Sequence, residues 1–172
     1  MAEATVKKTR QQRETRLVAD YLATKYPTSV VDQFVRLGAV LPNIDTTGLS
    51  PGEVEVLKNF SRMADAVVYR DNEIIIIEGY VLPNLGKVSQ LLTYMKLFPL
   101  TPGMERHKDK PLKGVIVGPI EDPILTHTAN EYGLIFELFR PDWVGPYLAE
   151  LAARFPSKLR GGHNLGLPPD RV

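Results

Sequence analysis

Residues 63–78 read MADAVVYRDNEIIIIE, and this stretch decides the fold. Met63–Tyr69 and Glu73–Glu78 are rich in β-branched residues and flank Arg70-Asp71-Asn72, a short polar turn. The pattern predicts two antiparallel strands joined as a hairpin. Four consecutive isoleucines, Ile74 to Ile77, leave no polar face, so their strand is expected to be buried on both sides and central in its sheet. Two acids break this apolar run: Asp65 lies inside the first strand and Glu78 ends the second. With the turn centred near Asp71 and Asn72, the two acids fall approximately opposite each other.

Outward from the hairpin, the pattern is mixed α and β. Leu17, Val18, Tyr21 and Leu22 recur at helical spacing, and Pro27 lies beyond them. SVVDQFVRLGAVL (29–41) reads as a strand whose faces alternate ambiguously. Ser50-Pro51-Gly52-Glu53 opens a short helix through Lys58, with Ser50 as N-cap and Glu53 completing a capping box. After the hairpin come a helix over 85–98 ended by Pro99, a polar loop over 100–113 and a buried strand over 114–117. A helix over 122–131, a strand over 134–139 and a closing helix over 141–155 complete the order. A hairpin followed by a βαβ crossover predicts a mixed sheet with helices on both faces, an α/β fold.

Burying a carboxylate is costly unless it is paired or bound to a cation. Asp65 and Glu78 on adjacent strands repel each other, and a divalent cation relieves that repulsion; oxygen donors suit Mg²⁺ or Mn²⁺. The plainer reading pairs Asp65 with Arg62 or a backbone amide and makes Glu78 a strand end.

RMADAVVY, IIIIEGY and GKVSQLLTY together resemble the PD-(D/E)xK nuclease superfamily, in its RecB-like branch with Q-x-x-x-Y on the helix. The resemblance spans roughly residues 10–140 and implies a restriction-endonuclease-like αβββαβ core. It implies that Asp65 and Glu78, with the carbonyl of Gly79, hold Mg²⁺ or Mn²⁺, and that Gln90 and Tyr94 organise the site. The family's E-x-K lysine is replaced by Tyr80, whose phenol (pKa ~10) carries no positive charge at neutral pH. That lysine orients the attacking water and stabilises charge on the phosphate. Lys87, Gln90 and Tyr94 stand at i, i+3 and i+7 on one helix face, apart from an apolar stripe of Val88, Leu91, Leu92 and Met95. Lys87 is therefore expected near the cleft, as a displaced ammonium or as a solvated first-turn lysine, and Lys87 or Tyr80 would position the water.

Two functions follow from the resemblance: a metal-dependent DNA phosphodiesterase, or a catalytically silent member of the fold serving assembly, for instance in a phage particle or nucleoprotein complex. Expected partners are DNA, and protein or a second copy through the basic N-terminal tail (1–9) and the Gly/Pro-rich C-terminal tail (157–172). The nuclease-like domain is placed between them at 10–156.

Composition excludes more than it selects. The chain has 172 residues, which suits a single domain. It has no cysteine, hence no disulfide framework or thiolate metal site. His107, His127 and His163 are scattered without zinc-ligand spacing, and no P-loop, dinucleotide or nucleophile-elbow motif occurs. The first residues contain no apolar core of a secretory signal, and no run is long enough to span a membrane. A cytoplasmic location is expected, or a virion if the assembly reading holds. Net charge is +1, from 21 basic and 20 acidic residues, so bulk charge selects no partner. Locally, the loop ERHKDKPLK reads as an exposed connector or a phosphate contact.

Overall fold

The computed structural model describes residues 2–38, 47–54 and 62–154. The chain divides into two compact units, Met1–Phe139 and Arg140–Val172. The first contains helix α1 (Ala2–Lys25), strand β1 (Val30–Leu37), a helical turn α2 at 51–54, the hairpin β2 (Arg62–Tyr69) and β3 (Ile74–Gly79), helix α3 (Gly86–Leu97), strand β4 (Leu112–Gly118), helix α4 (Pro123–Glu131) and strand β5 (Ile135–Leu138). The second, described through residue 154, contains helix α5 (Val144–Arg154). The sequence reading carries one domain to residue 156, whereas the contacts regroup after Phe139.

The five strands form one sheet in the order β1-β2-β3-β4-β5. β1 pairs with β2 and β2 with β3 in antiparallel fashion, while β4 joins β3 and β5 joins β4 in parallel through helical crossovers. This is the expected αβββαβ order in a mixed sheet. All six residues of β3 are buried, and the strand is third of five. The Ile74–Ile77 run therefore supplies both faces of the core, at about 1.5–3 kcal/mol per fully buried side chain. Ile74 and Ile76 pack with Val88, Leu91, Tyr94 and Phe98 of the α3 side, while Ile75 and Ile77 pack with Val18, Tyr21 and Leu22 of α1. Helices thus cover both faces, as the pattern predicts.

The local signals account for most ends. Ser50 and Glu53 bond reciprocally, Ser50 N–H and hydroxyl donating to Glu53 Oε2 at 2.8 and 2.7 Å and Glu53 N–H to Ser50 Oγ at 3.3 Å. Residues 55–58 of that expected helix, and the tail at 157–172, lie outside the described residues. Asp122 caps α4 by accepting from the backbone amides of Ile124 and Leu125. α1 starts at Ala2, so helix replaces the tail expected over 2–9. β4 starts at Leu112, two residues inside the expected loop, where Ile74 pairs with Leu112. That segment is tied to the hairpin from the loop and from the start of β4. Lys110 Nζ donates to the Arg70 carbonyl at 2.8 Å, Lys113 pairs with Glu73 at 2.6 Å, and the His107 ring lies 5.0 Å from that of Tyr69.

Alternation fails at one level of the sheet. Val31 packs on the α1 side but Val35 and Leu37 on the α3 side, although positions 31, 35 and 37 of a regular strand share a face. Ala66 and Ala64 differ in the same way on β2. Both breaks fall at one rung, Phe34 on β1 and Asp65 on β2, between the pairs Gln33↔Ala66 and Val35↔Ala64. Phe34 has φ 56°, a left-handed conformation costing a residue with a Cβ about 1–3 kcal/mol. The sheet is wrenched where Asp65 sits.

Candidate functional site

The hairpin register fixes the geometry. Tyr69↔Ile74 and Ala66↔Ile77 are paired, so the next rung sets Asp65 against Glu78. There the ladder gives way to side chains. Gly79 N–H donates to Asp65 Oδ2 at 2.8 Å, and Asp65 N–H donates to Glu78 Oε1 at 3.2 Å. Each carboxylate thus takes a backbone amide of the opposite strand. The plainer reading was right that Asp65 is satisfied by a backbone amide, but that is only part of its environment.

Lys87, in the first turn of α3, points into this pair. Its Nζ lies 2.7 Å from Glu78 Oε2 and 3.7 Å from Asp65 Oδ2. Lys87 is buried, so the solvated first-turn lysine is excluded. Burial works against its ammonium, but the charges of Glu78 and Asp65, with Glu14 behind them, more than offset it and raise the pKa. Glu78 is wholly buried. Burial first and the Asp65 charge second push its carboxyl up to about 8, against the opposing pull of Lys87. The site therefore holds a protonated lysine against a buried Glu78 carboxyl that gives up its proton reluctantly.

Above this cluster opens a cleft of about 360 Å³, lined by Gln11, Glu14, Thr15, Phe34, Met63, Asp65, Asn84, Lys87 and Gln90. Asp65 is a partly exposed carboxylate of this cleft, with 27% of the side chain open to solvent. α1 reaches this cleft because residue 79 is glycine: a Cβ there would stand 2.4 Å from the Val18 side chain and 3.8 Å from the Glu14 carbonyl. Glu14 precedes Leu17 and Val18 by three and four residues, so the face that buries them also presents Glu14. That extension of an apolar stripe by an acid was the sequence signal for Glu14, and it was missed. Phe34 and Met63 were also missed, because their place depends on the broken strand alternation.

The other expected site residues divide. Gln90 lines the cleft, and its Nε2 donates to Tyr94 Oη at 2.6 Å. Tyr94 is in the core rather than on the cleft wall; its hydroxyl donates to the Met63 carbonyl at 3.0 Å, joining α3 to β2 two residues before Asp65. Tyr80 is corrected outright as a water-positioning group. Its side chain is wholly buried, its hydroxyl donates to the Ile120 carbonyl at 2.6 Å, and its ring stacks on Phe136. Alternation sets residue 80 on the same face as Ile76 and Glu78, but just past the end of β3 its ring packs on Phe136 and the phenol is consumed as a structural hydrogen bond. The basic loop stands at the hairpin end of β3, whereas the cluster stands at its carboxyl end, four residues or ~13 Å along the strand.

Among the described residues, no group of three or more His, Asp or Glu side chains is assembled as a metal site. The donor chemistry still fits one hard divalent cation. Two carboxylates, Asp65 and Glu78, face one ammonium, with Glu14 elsewhere on the cleft lining, and the second oxygen of Asp65, Oδ1, takes no hydrogen bond from the described residues. Lys87 now occupies the space between the two facing acids.

No protein-family model and no curated protein matches the chain significantly. A solved structure described as an EndoMS–dsDNA2 complex aligns with 73% of this chain at 17% identity and a TM-score of 0.44. This chain spans less than half of that one, 44% of its length. No described helix is long and apolar enough to cross a membrane.

Proposed function

We propose that the chain is a metal-dependent phosphodiesterase acting on DNA, with its lysine supplied by helix α3 in place of the strand position held by Tyr80. The observation that carries this reading is the Lys87 ammonium at 2.7 Å from Glu78 and 3.7 Å from Asp65. An ammonium farther than ~8 Å from the acids would have been beyond catalytic reach.

Asp65 and Glu78 would hold Mg²⁺ or Mn²⁺, with the Gly79 carbonyl as a further oxygen donor. Bound there, the ion supplies charge neutralisation on the phosphate and a more acidic attacking water. Lys87 donates to oxygen bearing the developing negative charge, from a site already desolvated, where such a donor is worth most. Glu78 fixes the ammonium by its short hydrogen bond. Gln90 and Tyr94 act at one remove: they tie α3 to the Met63 carbonyl and so hold Lys87 and Asp65 in register. They are positioning residues.

The test is cleavage of linear and plasmid DNA with Mg²⁺ or Mn²⁺. Asp65→Asn and Lys87→Met should each lower the rate by roughly 100-fold or more, while Tyr80→Phe, if folded, should retain it. Wild-type protein that cleaves nothing with either ion and binds neither by calorimetry would overturn the enzyme and leave the silent assembly component.

A further inference from the structure

Part of the cleft lining is apolar and exposed. Phe34 is 46% and Met63 44% accessible, and both line the cavity that contains Asp65 and Lys87. Phe34 holds φ 56° in a strand whose pairing is regular on either side, at Gln33↔Ala66 and Val35↔Ala64. A strained backbone that presents an aromatic ring to solvent serves neither core nor ladder. Beside Glu14, the rest of the described lining is rich in uncharged hydrogen-bonding groups: Gln11, Thr15, Asn84 and Gln90. A cavity of about 360 Å³ lies within the range that encloses small planar ligands. Among the described residues, Lys87 is the one basic residue lining the cleft.

We infer that Phe34, with Met63 beside it, is a stacking shelf for an unpaired nucleobase, and that the substrate enters as single-stranded DNA or an unpaired end. This deepens, and rests on, the reading of the Asp65–Lys87 cluster as a phosphodiesterase site. Stacking on an aromatic face is indifferent to base identity, so the shelf selects strand state rather than sequence. The four amide and hydroxyl side chains of the lining are suited to base edges, and Lys87 with Asp65 would meet the adjoining phosphate.

The experiment measures binding apart from cleavage. Full-length wild type, Phe34→Ala and Phe34→Gly are titrated with Ca²⁺ present against labelled oligothymidylate, an abasic strand of equal length and the corresponding duplex, read by anisotropy. Glycine removes the ring and relieves the positive φ, so it serves should alanine impair folding. Wild type should bind oligothymidylate tighter than the abasic strand or the duplex. Loss of the ring should weaken oligothymidylate binding roughly 5- to 100-fold and leave abasic binding unchanged. No wild-type binding to oligothymidylate, an equal loss on the abasic strand, or no loss in either variant overturns the shelf. So does a change of Phe34 that only converts a dimer to a monomer by light scattering. A protein that binds this way but never cleaves sinks the phosphodiesterase and keeps the shelf. Cleavage of duplex DNA indifferent to Phe34 does the reverse.

Discussion

A buried acid with a raised pKa makes stability depend on pH in a defined direction. The Glu78 carboxyl rises from an ordinary 4.5 to about 8 in the folded chain. Between those values the folded state holds a proton that the unfolded state has released. Its stabilising contribution is therefore complete below about pH 4.5 and is lost as pH climbs towards 8. Glu78→Gln removes the titration. Its amide still accepts from Asp65 N–H, but it turns an N–H donor towards the ammonium of Lys87, so the variant starts about 1–3 kcal/mol lower at pH 5. Thermal melts from pH 5 to 8 should then show a flatter profile than wild type, the two curves converging as pH rises. Lys87→Met should do the opposite. Without the ammonium the two acids face each other uncompensated, so the deficit, about 3–5 kcal/mol where both are ionised, should be larger at pH 8 than at pH 5. Parallel melting curves for all three proteins would show that Glu78 does not titrate in this window. The sequence made Asp65, Glu78, Lys87 and Gln90 legible, since strand register and helical spacing are local properties. It did not show that Tyr80 would spend its hydroxyl on Ile120, because that bond joins residues 40 apart in the chain.

At the scale of elements, small residues set how closely helices and rings approach the sheet. A Cβ on Gly118 would lie 2.2 Å from the Tyr80 ring, and one on Gly79 2.4 Å from Val18. Neither neighbour is a flexible tip in open space: Tyr80 is enclosed by core and Val18 is held in the buried face of α1. Gly118→Ala should destabilise the chain by about 1–3 kcal/mol through overpacking, with Tyr80 displaced from Ile120. Gly79→Ala should cost a similar amount and also move Glu14, so it should alter binding at the cleft where Gly118→Ala does not. Denaturant melts give the first quantity and metal titration the second; a Gly79→Ala chain of wild-type stability would mean that α1 does not rest on β3. Legibility at this scale followed the periodicity. The isoleucine run, the capped α2 and α4 and the α1 stripe were readable because each pattern repeats within a few residues. β1 was not assigned a face because it has none that is constant: its alternation reverses at Phe34, and that reversal is imposed by pairing with β2.

For the whole molecule, a net charge of +1 conceals an arrangement that opposes the proposed substrate. Lys110 and Lys113 are engaged at the hairpin end of the sheet, while among the described residues three acids and one lysine line the cleft or its floor. On the proposed function, a phosphate approaching those described residues meets excess negative charge, so a divalent cation would enter before or with the strand. Any ligand that binds the folded state alone stabilises it by mass action, about 2.7 kcal/mol at a hundredfold excess over its dissociation constant. For a chain of this size, that is a rise of roughly 5–10 °C in melting temperature. Mg²⁺ or Mn²⁺ should produce such a rise in the wild type, and chelation should reverse it. Asp65→Asn should abolish the rise. Lys87→Met should enlarge it, since the ammonium that now stands between the acids competes for the same charge. Two results would count against this account: a rise that survives Asp65→Asn places the ion elsewhere, and a rise lost with Lys87 makes the lysine a partner of the ion rather than its competitor.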